Sequence, residues 1–176
     1  IHMEEDAGKS IHNEGHDTWI DLNRAGSPLI EIVTNPAIKG PNEAANFLQE
    51  VRRIVRFLGI SGANMEKGEF RCDANISIKP IEREELGRKV EIKNMNSFNH
   101  VRRAIAFEIE RQFKLDTAGE EVLEETRTFD PNTGETSSMR FKETMNDYRY
   151  FPCPDLPPVV IESVFLEELK ASAPKI

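Results

Sequence analysis

The residue types best suited to chemistry lie between Glu69 and Phe98. Arg71, Asp73 and Asn75 alternate there with Phe70, Cys72, Ala74 and Ile76, and further on Lys89, Glu91 and Lys93 alternate with Val90 and Ile92. Strict alternation from Phe70 to Ile78 predicts a half-buried strand, whose successive side chains point to opposite faces. Arg71, Asp73, Asn75, Ser77 and Lys79 then share the polar face. Antiparallel pairing with the second run, through the charged connection, sets Glu91 and Lys93 beside them. The product is a face with two carboxylates and several cations. Two readings fit it. One is the solvated outer surface common in antiparallel sheets. The other is a site for a hard cation and phosphate, since Mg²⁺ takes one or two carboxylates with a phosphate, while nearby cations neutralise the remaining charge.

Two other stretches carry reactive types. Residues 1–17 hold His2, His12 and His16 and the acidic triplet Glu4-Glu5-Asp6, followed by Gly8-Lys9-Ser10. A cation or phosphate contact is one reading and a solvated polar segment the other; the glycine spacing of a phosphate loop is absent. Residues 146–155 read Asn-Asp-Tyr-Arg-Tyr-Phe-Pro-Cys-Pro-Asp, which excludes a regular helix. Such a segment either packs on a sheet or lets Tyr148, Arg149 and Tyr150 clamp a planar ligand or phosphate. The prolines stiffen the segment, and Arg149 is expected to point into the same cleft as Asp73 and Lys93.

The elements that position these residues follow from periodicity. Thr18–Asn23 alternates, a turn covers Arg24–Pro28, and Leu29–Thr34 is a short strand interrupted by Glu31. Ala44, Leu48, Val51, Val55 and Leu58 form the apolar stripe of a helix over Pro41–Leu58, with Gly59 closing it. Its Arg52, Arg53 and Arg56 suit either the helix C-terminus or an RNA contact. Phe98, Val101, Ile105, Ile109 and Phe113 mark a second helix to about Leu115, capped by Asn96 or Ser97. Strands over Glu121–Phe129 and Glu135–Phe141 flank the hairpin signal Asp130-Pro-Asn-Thr-Gly134. The order strand, helix, two strands, helix, two strands predicts an α+β domain, with a mainly antiparallel sheet and helices packed on one face.

Composition narrows the class. The 176 residues suffice for one domain with a core, and 38% hydrophobic with 31% charged residues describes a polar globular chain. No apolar run approaches the roughly 20 residues of a membrane helix. The net charge of −8 opposes non-specific nucleic-acid binding by the chain as a whole, though not a local basic patch. Cys72 and Cys153 are too few for a disulfide framework, so a reducing, intracellular compartment is expected.

Five segments in order, His2–Lys9, Leu22–Ile32, Arg71–Asn75, Glu91–Phe98 and Asp147–Pro152, resemble the B subunits of the aspartyl/glutamyl-tRNA amidotransferases. The resemblance covers nearly the whole chain. It implies a glutamine synthetase/guanido kinase-like cradle, with residues 1–176 its C-terminal part. The start of the cradle would lie before Ile1 and a helical tRNA-binding tail beyond Ile176. It also implies a cytoplasmic ATP-dependent ligase that phosphorylates the side-chain carboxylate of mischarged Glu-tRNA or Asp-tRNA. Ammonia from a partner glutaminase (A) subunit, in an assembly with a small C subunit, then displaces the phosphate. ATP and Mg²⁺ would be required, and the fragment alone would be inactive. By this resemblance Glu5 (or Glu4), Asp73 and Glu91 hold metal, Asn75, Arg71 and Lys93 meet the nucleotide, and Arg71, Lys93 and Arg149 act on phosphates or the substrate carboxylate. Two alternatives stand beside it: the archaeal-type E subunit, which shares the cradle, and a non-catalytic RNA-binding or scaffolding module.

Overall fold

The computed structural model describes residues 1–12, 17–141 and 157–173. Arg149, with its aromatic-proline segment, and His16 lie outside the described residues. The chain divides into two compact units, one of residues 1–34 and 146–176 and the other of residues 35–145.

The second unit is built around one sheet and two helices. Helix α1 runs Pro41–Phe57, with proline in its first turn and Gly40 extended before it. A proline there forfeits only an amide that the helix leaves without a partner. Glu43 in that turn accepts the Lys39 amide at 2.7 Å. Ala44, Ala45 and Leu48 are buried, but Val51 and Val55 are only half-buried and Leu58 is 57% exposed. The expected stripe therefore fades along the helix. Arg52 is a strut: its Nε donates to the Ala63 carbonyl at 3.1 Å and its guanidinium lies over the Phe98 ring at 5.9 Å.

Helix α2, Phe98–Ala118, begins where Ser97 accepts the His100 amide and ends at Gly119, whose φ of 73° is left-handed. Strand β5 is Ala74–Ile76 and β6 is Val90–Lys93, paired antiparallel. The strand is shorter than the Phe70–Ile78 alternation predicts, because β6 offers only four residues and the next amide, Ile78 N–H, goes to the Gln112 side chain. The alternation survives in burial, with Ala74 and Ile76 buried and Asp73 and Asn75 exposed. Gly87 lets the connection double back, since a Cβ there would collide with the Ile78 carbonyl oxygen. Lys79 ties the connection down by donating to the carbonyls of Arg83 and Glu84.

Strands β7, Glu125–Phe129, and β8, Thr136–Phe141, complete the order β5-β6-β7-β8. The β6–β7 pair is parallel while its two neighbours are antiparallel. The sheet is therefore mixed, and β6, α2 and β7 form a crossover unit that periodicity alone did not suggest. The reason is length: α2, about 31 Å at 1.5 Å per residue, carries the chain back so that β7 starts at the same end as β6. One face of α2 and one face of the sheet close over Ile76, Ile92, Met95, Val101, Ala104, Ile105 and Phe129. Fully burying an aliphatic side chain such as Val90 or Ile92 stabilises by about 1.5–3 kcal/mol. Phe113, expected in the stripe, is instead 63% exposed, and its place is taken by Glu108 and Gln112, both essentially inaccessible.

The first unit contains two ribbons. Strand β1 (His2–Glu5) pairs with β4 (Pro28–Glu31), and β2 (Lys9–His12) pairs with β3 (Thr18–Asp21), both antiparallel. Residues 1–17, read as either a cation or phosphate contact or a solvated polar segment, supply two strands, of which β2 is exposed throughout; pairing partners rather than apolar content decide them. The Arg24–Ser27 turn is held by Arg24 on Asp6 at 2.6 Å and by Gly26 N–H on the Asp6 carbonyl. Helix α3, Ser163–Ser172, was not anticipated; its Val164, Phe165, Leu166 and Leu169 are all exposed. Among the described residues no helix is long and apolar enough to cross a membrane.

Candidate functional site

The face of the four-stranded sheet opposite α2 is polar by alternation. Register aligns Asn75, Glu91 and Thr126 in one row, and Lys93 with Thr128 and Ser137 in the next. Asp73 lies one residue before β5 and reaches Lys93, whose Nζ donates to Asp73 Oδ2 at 2.8 Å. The same ammonium stands 3.5 Å from Glu91 Oε1. The two carboxylates expected to share a cation are therefore on one face and already share one, the Lys93 ammonium. Partial burial would lower the Lys93 pKa, but the hydrogen bond and charge of Asp73, with Glu91 behind, raise it above the ordinary lysine value.

The remaining atoms of the row are fixed from below. Thr126 Oγ1 donates to Glu91 Oε2 at 3.1 Å, and Asn94 Nδ2 donates to Thr128 Oγ1 at 2.9 Å. Asn94 holds a φ of 64°, a left-handed conformation that asparagine tolerates better than most residues. It turns the chain from β6 toward the Ser97 cap. Cys72 sits on the opposite, inward side of the chain; burial, with the nearby Asp73 charge, pushes its thiol up to about 12.

Other sequence-predicted residues fall as follows. Arg71 is exposed, with no side-chain partner among the described residues. Glu5 ends β1 in the first unit, half-buried, with a carboxylate oxygen 3.9 Å from where a Cβ on Gly26 would stand. Asp73, Asn75, Glu91 and Lys93 are thus brought together in the second unit, while Glu5 belongs to the first. Among the described residues no three His, Cys, Asp or Glu side chains converge as a metal cluster. Two carboxylates and an adjacent amide, all oxygen donors, still suit Mg²⁺, which ordinarily completes its shell with phosphate and water.

Beneath this face, on the α2 side, lies a buried ionic network absent from the sequence expectations. Glu108 accepts from Arg111 Nε and Nη2 at 3.0 and 2.7 Å, from Gln112 Nε2 at 2.9 Å and from Thr136 Oγ1 at 3.3 Å. Arg127 bonds Glu125 at 2.6 Å and the Thr136 side chain and carbonyl at 2.8 and 2.7 Å. The Glu108 hydrogen bonds, then its charge and that of Glu125, raise the Arg111 pKa despite burial. No buried side-chain polar atom among the described residues lacks a partner.

The GatB/GatE catalytic domain model matches residues 1–167. The chain belongs to that family. Among its curated relatives is the B subunit of the aspartyl/glutamyl-tRNA(Asn/Gln) amidotransferase of Chlorobium phaeobacteroides, 54% identical over 99% of this chain and 37% of the relative. The B subunits of the same name from Nitrosococcus oceani and Thermodesulfovibrio yellowstonii are 52% and 49% identical, over 99% and 100% of this chain. The chain spans a little over a third of the length of the relatives it matches. The family description covers GatB and GatE alike, while each of these relatives is named as a B subunit.

Proposed function

We propose that the chain is a part of the carboxylate-activating domain of a tRNA-dependent amidotransferase B subunit. The observation that carries this reading is the Asp73–Lys93–Glu91 arrangement on the open face of the sheet, in a chain of the GatB/GatE catalytic domain family. The fold in which it operates is the glutamine synthetase/guanido kinase-like cradle. The substrate is tRNA carrying a misplaced glutamate or aspartate. Its side-chain carboxylate oxygen attacks the γ-phosphorus of ATP and ADP leaves; ammonia then attacks the acyl carbon and inorganic phosphate leaves. The first step is needed because a free carboxylate is a poor acceptor for ammonia.

Phosphoryl transfer asks the protein for positioning and charge compensation and little else. Asp73 and Glu91 are the residues that hold Mg²⁺, which when bound compensates charge on the phosphates. Lys93 and Arg71 place cations on the nucleotide, and Asn75 adds an amide beside them. The family resemblance implies a role for Glu5 toward metal and for Arg149 toward the reacting carboxylate or phosphate. No nucleophilic serine or cysteine is called for, since glutamine hydrolysis belongs to the A subunit of a cytoplasmic assembly that also includes a C subunit. The inward-facing, protonated Cys72 fits that division of labour.

Calorimetric titration of the full-length protein with Mg-ATP tests this reading. Saturable binding that Asp73→Asn weakens is expected. Absence of binding would leave the polar face a solvated surface and favour a non-catalytic RNA-binding or scaffolding module.

A further inference from the structure

We infer that Thr126 is a positioning residue that sets the plane of the Glu91 carboxylate. The inference rests on the reading of the Asp73–Lys93–Glu91 face proposed above and extends it to a residue beneath that face. A glutamate's terminal torsion is a broad rotor, so a carboxylate on a strand does not by itself aim its oxygens. Here each Glu91 oxygen has a defined neighbour: Oε1 lies 3.5 Å from Lys93 Nζ, and Oε2 accepts from Thr126 Oγ1 at 3.1 Å. Holding Oε2 turns Oε1 toward Lys93 and the Asp73 side of the face.

Thr126 is suited to the task by its own constraints. It is 1% exposed, and its branched side chain is stiff at χ1. Its backbone is placed from both sides, opposite Glu91 in β6 and Arg140 in β8. The register of β8 then skips Met139, and this bulge falls between Thr126 and Arg127. Bulges commonly re-aim a side chain beside a functional site. On the other face, Glu125 and Arg127 are locked to each other at 2.6 Å and to Thr136. β7 thus bolts one face to α2 and presents a hydroxyl to Glu91 on the other. A valine would fill the same volume; the hydroxyl matters only through its bond.

The test uses the full-length protein with Mn²⁺ as the probe ion, counted by electron paramagnetic resonance without nucleotide, alongside thermal unfolding. Thr126→Val should weaken Mn²⁺ binding about tenfold or more, the usual effect of removing a partner from a metal-holding carboxylate. Thr126→Ser, which keeps the hydroxyl, should restore wild-type affinity even though losing its buried methyl lowers the unfolding midpoint somewhat; affinity, not the midpoint, separates the two variants. Wild-type binding by Thr126→Val, while Glu91→Gln loses the ion, would overturn the role of Thr126 and leave the site standing. Wild-type binding by Glu91→Gln and Asp73→Asn would overturn the reading of the face itself. A parallel fall in affinity and midpoint that Thr126→Ser does not rescue would make Thr126 purely structural.

Discussion

Replacing Glu108 with glutamine should unfold the second unit far more readily than its position in a helix suggests. The carboxylate is inaccessible and accepts bonds from Arg111, Gln112 and Thr136, with Arg127 Nε a further 3.6 Å away. Two carboxylates, Glu108 and Glu125, balance two guanidiniums, Arg111 and Arg127. Glu108→Gln leaves an unbalanced positive charge in the core, and turns one acceptor into an NH₂ group facing donors. Removing one partner of such a buried set costs about 3–5 kcal/mol. With an m-value of about 2–3 kcal/mol/M, the urea midpoint should fall by about 1–2.5 M. The control has the same sequence spacing: Glu50 and Arg53 are also paired (i,i+3), but with side chains 54% and 77% exposed. Glu50→Gln should change stability by less than about 1 kcal/mol, as exposed pairs do. If the two substitutions shifted the midpoint equally, the buried network would not be holding α2 to the sheet.

The other expectations concern the sheet edge, the thiol and the shared cation. Gln112→Leu removes the amide that donates to the Ile76 carbonyl at 3.2 Å and accepts the Ile78 amide at 3.1 Å, so hydrogen exchange at Ile78 should accelerate markedly, and unchanged protection would refute the clamp. Cys72, with its thiol at about 12 instead of 9.0, should resist alkylation through pH 9, as read by mass spectrometry of its peptide. Because the raised value favours the neutral thiol in the folded state, its contribution to stability is full below pH 9 and is lost as pH climbs toward 12. Labelling at the rate of an open thiol would contradict this. Lys93→Met withdraws the cation that Asp73 and Glu91 share, so Mn²⁺ should bind more tightly while phosphate release falls; weaker binding would refute the competition. The elevated Lys93 pKa means its share of stability is complete below the unfolded value near 10.5 and disappears as pH rises past the folded one.

Some of this was legible from residue order and some was not. Alternation placed Asp73, Asn75, Glu91 and Lys93 on one face because a strand's period is independent of what pairs with it. The cap of α2, narrowed by sequence to Asn96 or Ser97 and found at Ser97, was an equally local signal. The parallel β6–β7 pairing was not readable, since Thr126 and Thr128 look the same whether β7 runs with or against its neighbour. The partnership of Thr126 with Glu91 was therefore missed. The Glu108 network was invisible for a related reason: a Glu and an Arg three apart on a helix signal a solvated pair as readily as a buried one. The short ribbons of the first unit depend on partners distant in sequence, and their polar composition concealed them.

We propose that the Asp73–Lys93–Glu91 face performs ATP-dependent activation of a tRNA-bound carboxylate. The most direct measurement is tRNA-dependent phosphate release by the complete amidotransferase carrying Asp73→Asn, with glutaminase activity followed in parallel. The substitution keeps the shape of the side chain and removes the charge that holds Lys93 at 2.8 Å. Phosphate release and amide formation on tRNA should be lost together, while the glutaminase centre remains chemically competent. Wild-type phosphate release by the Asp73→Asn enzyme would contradict it.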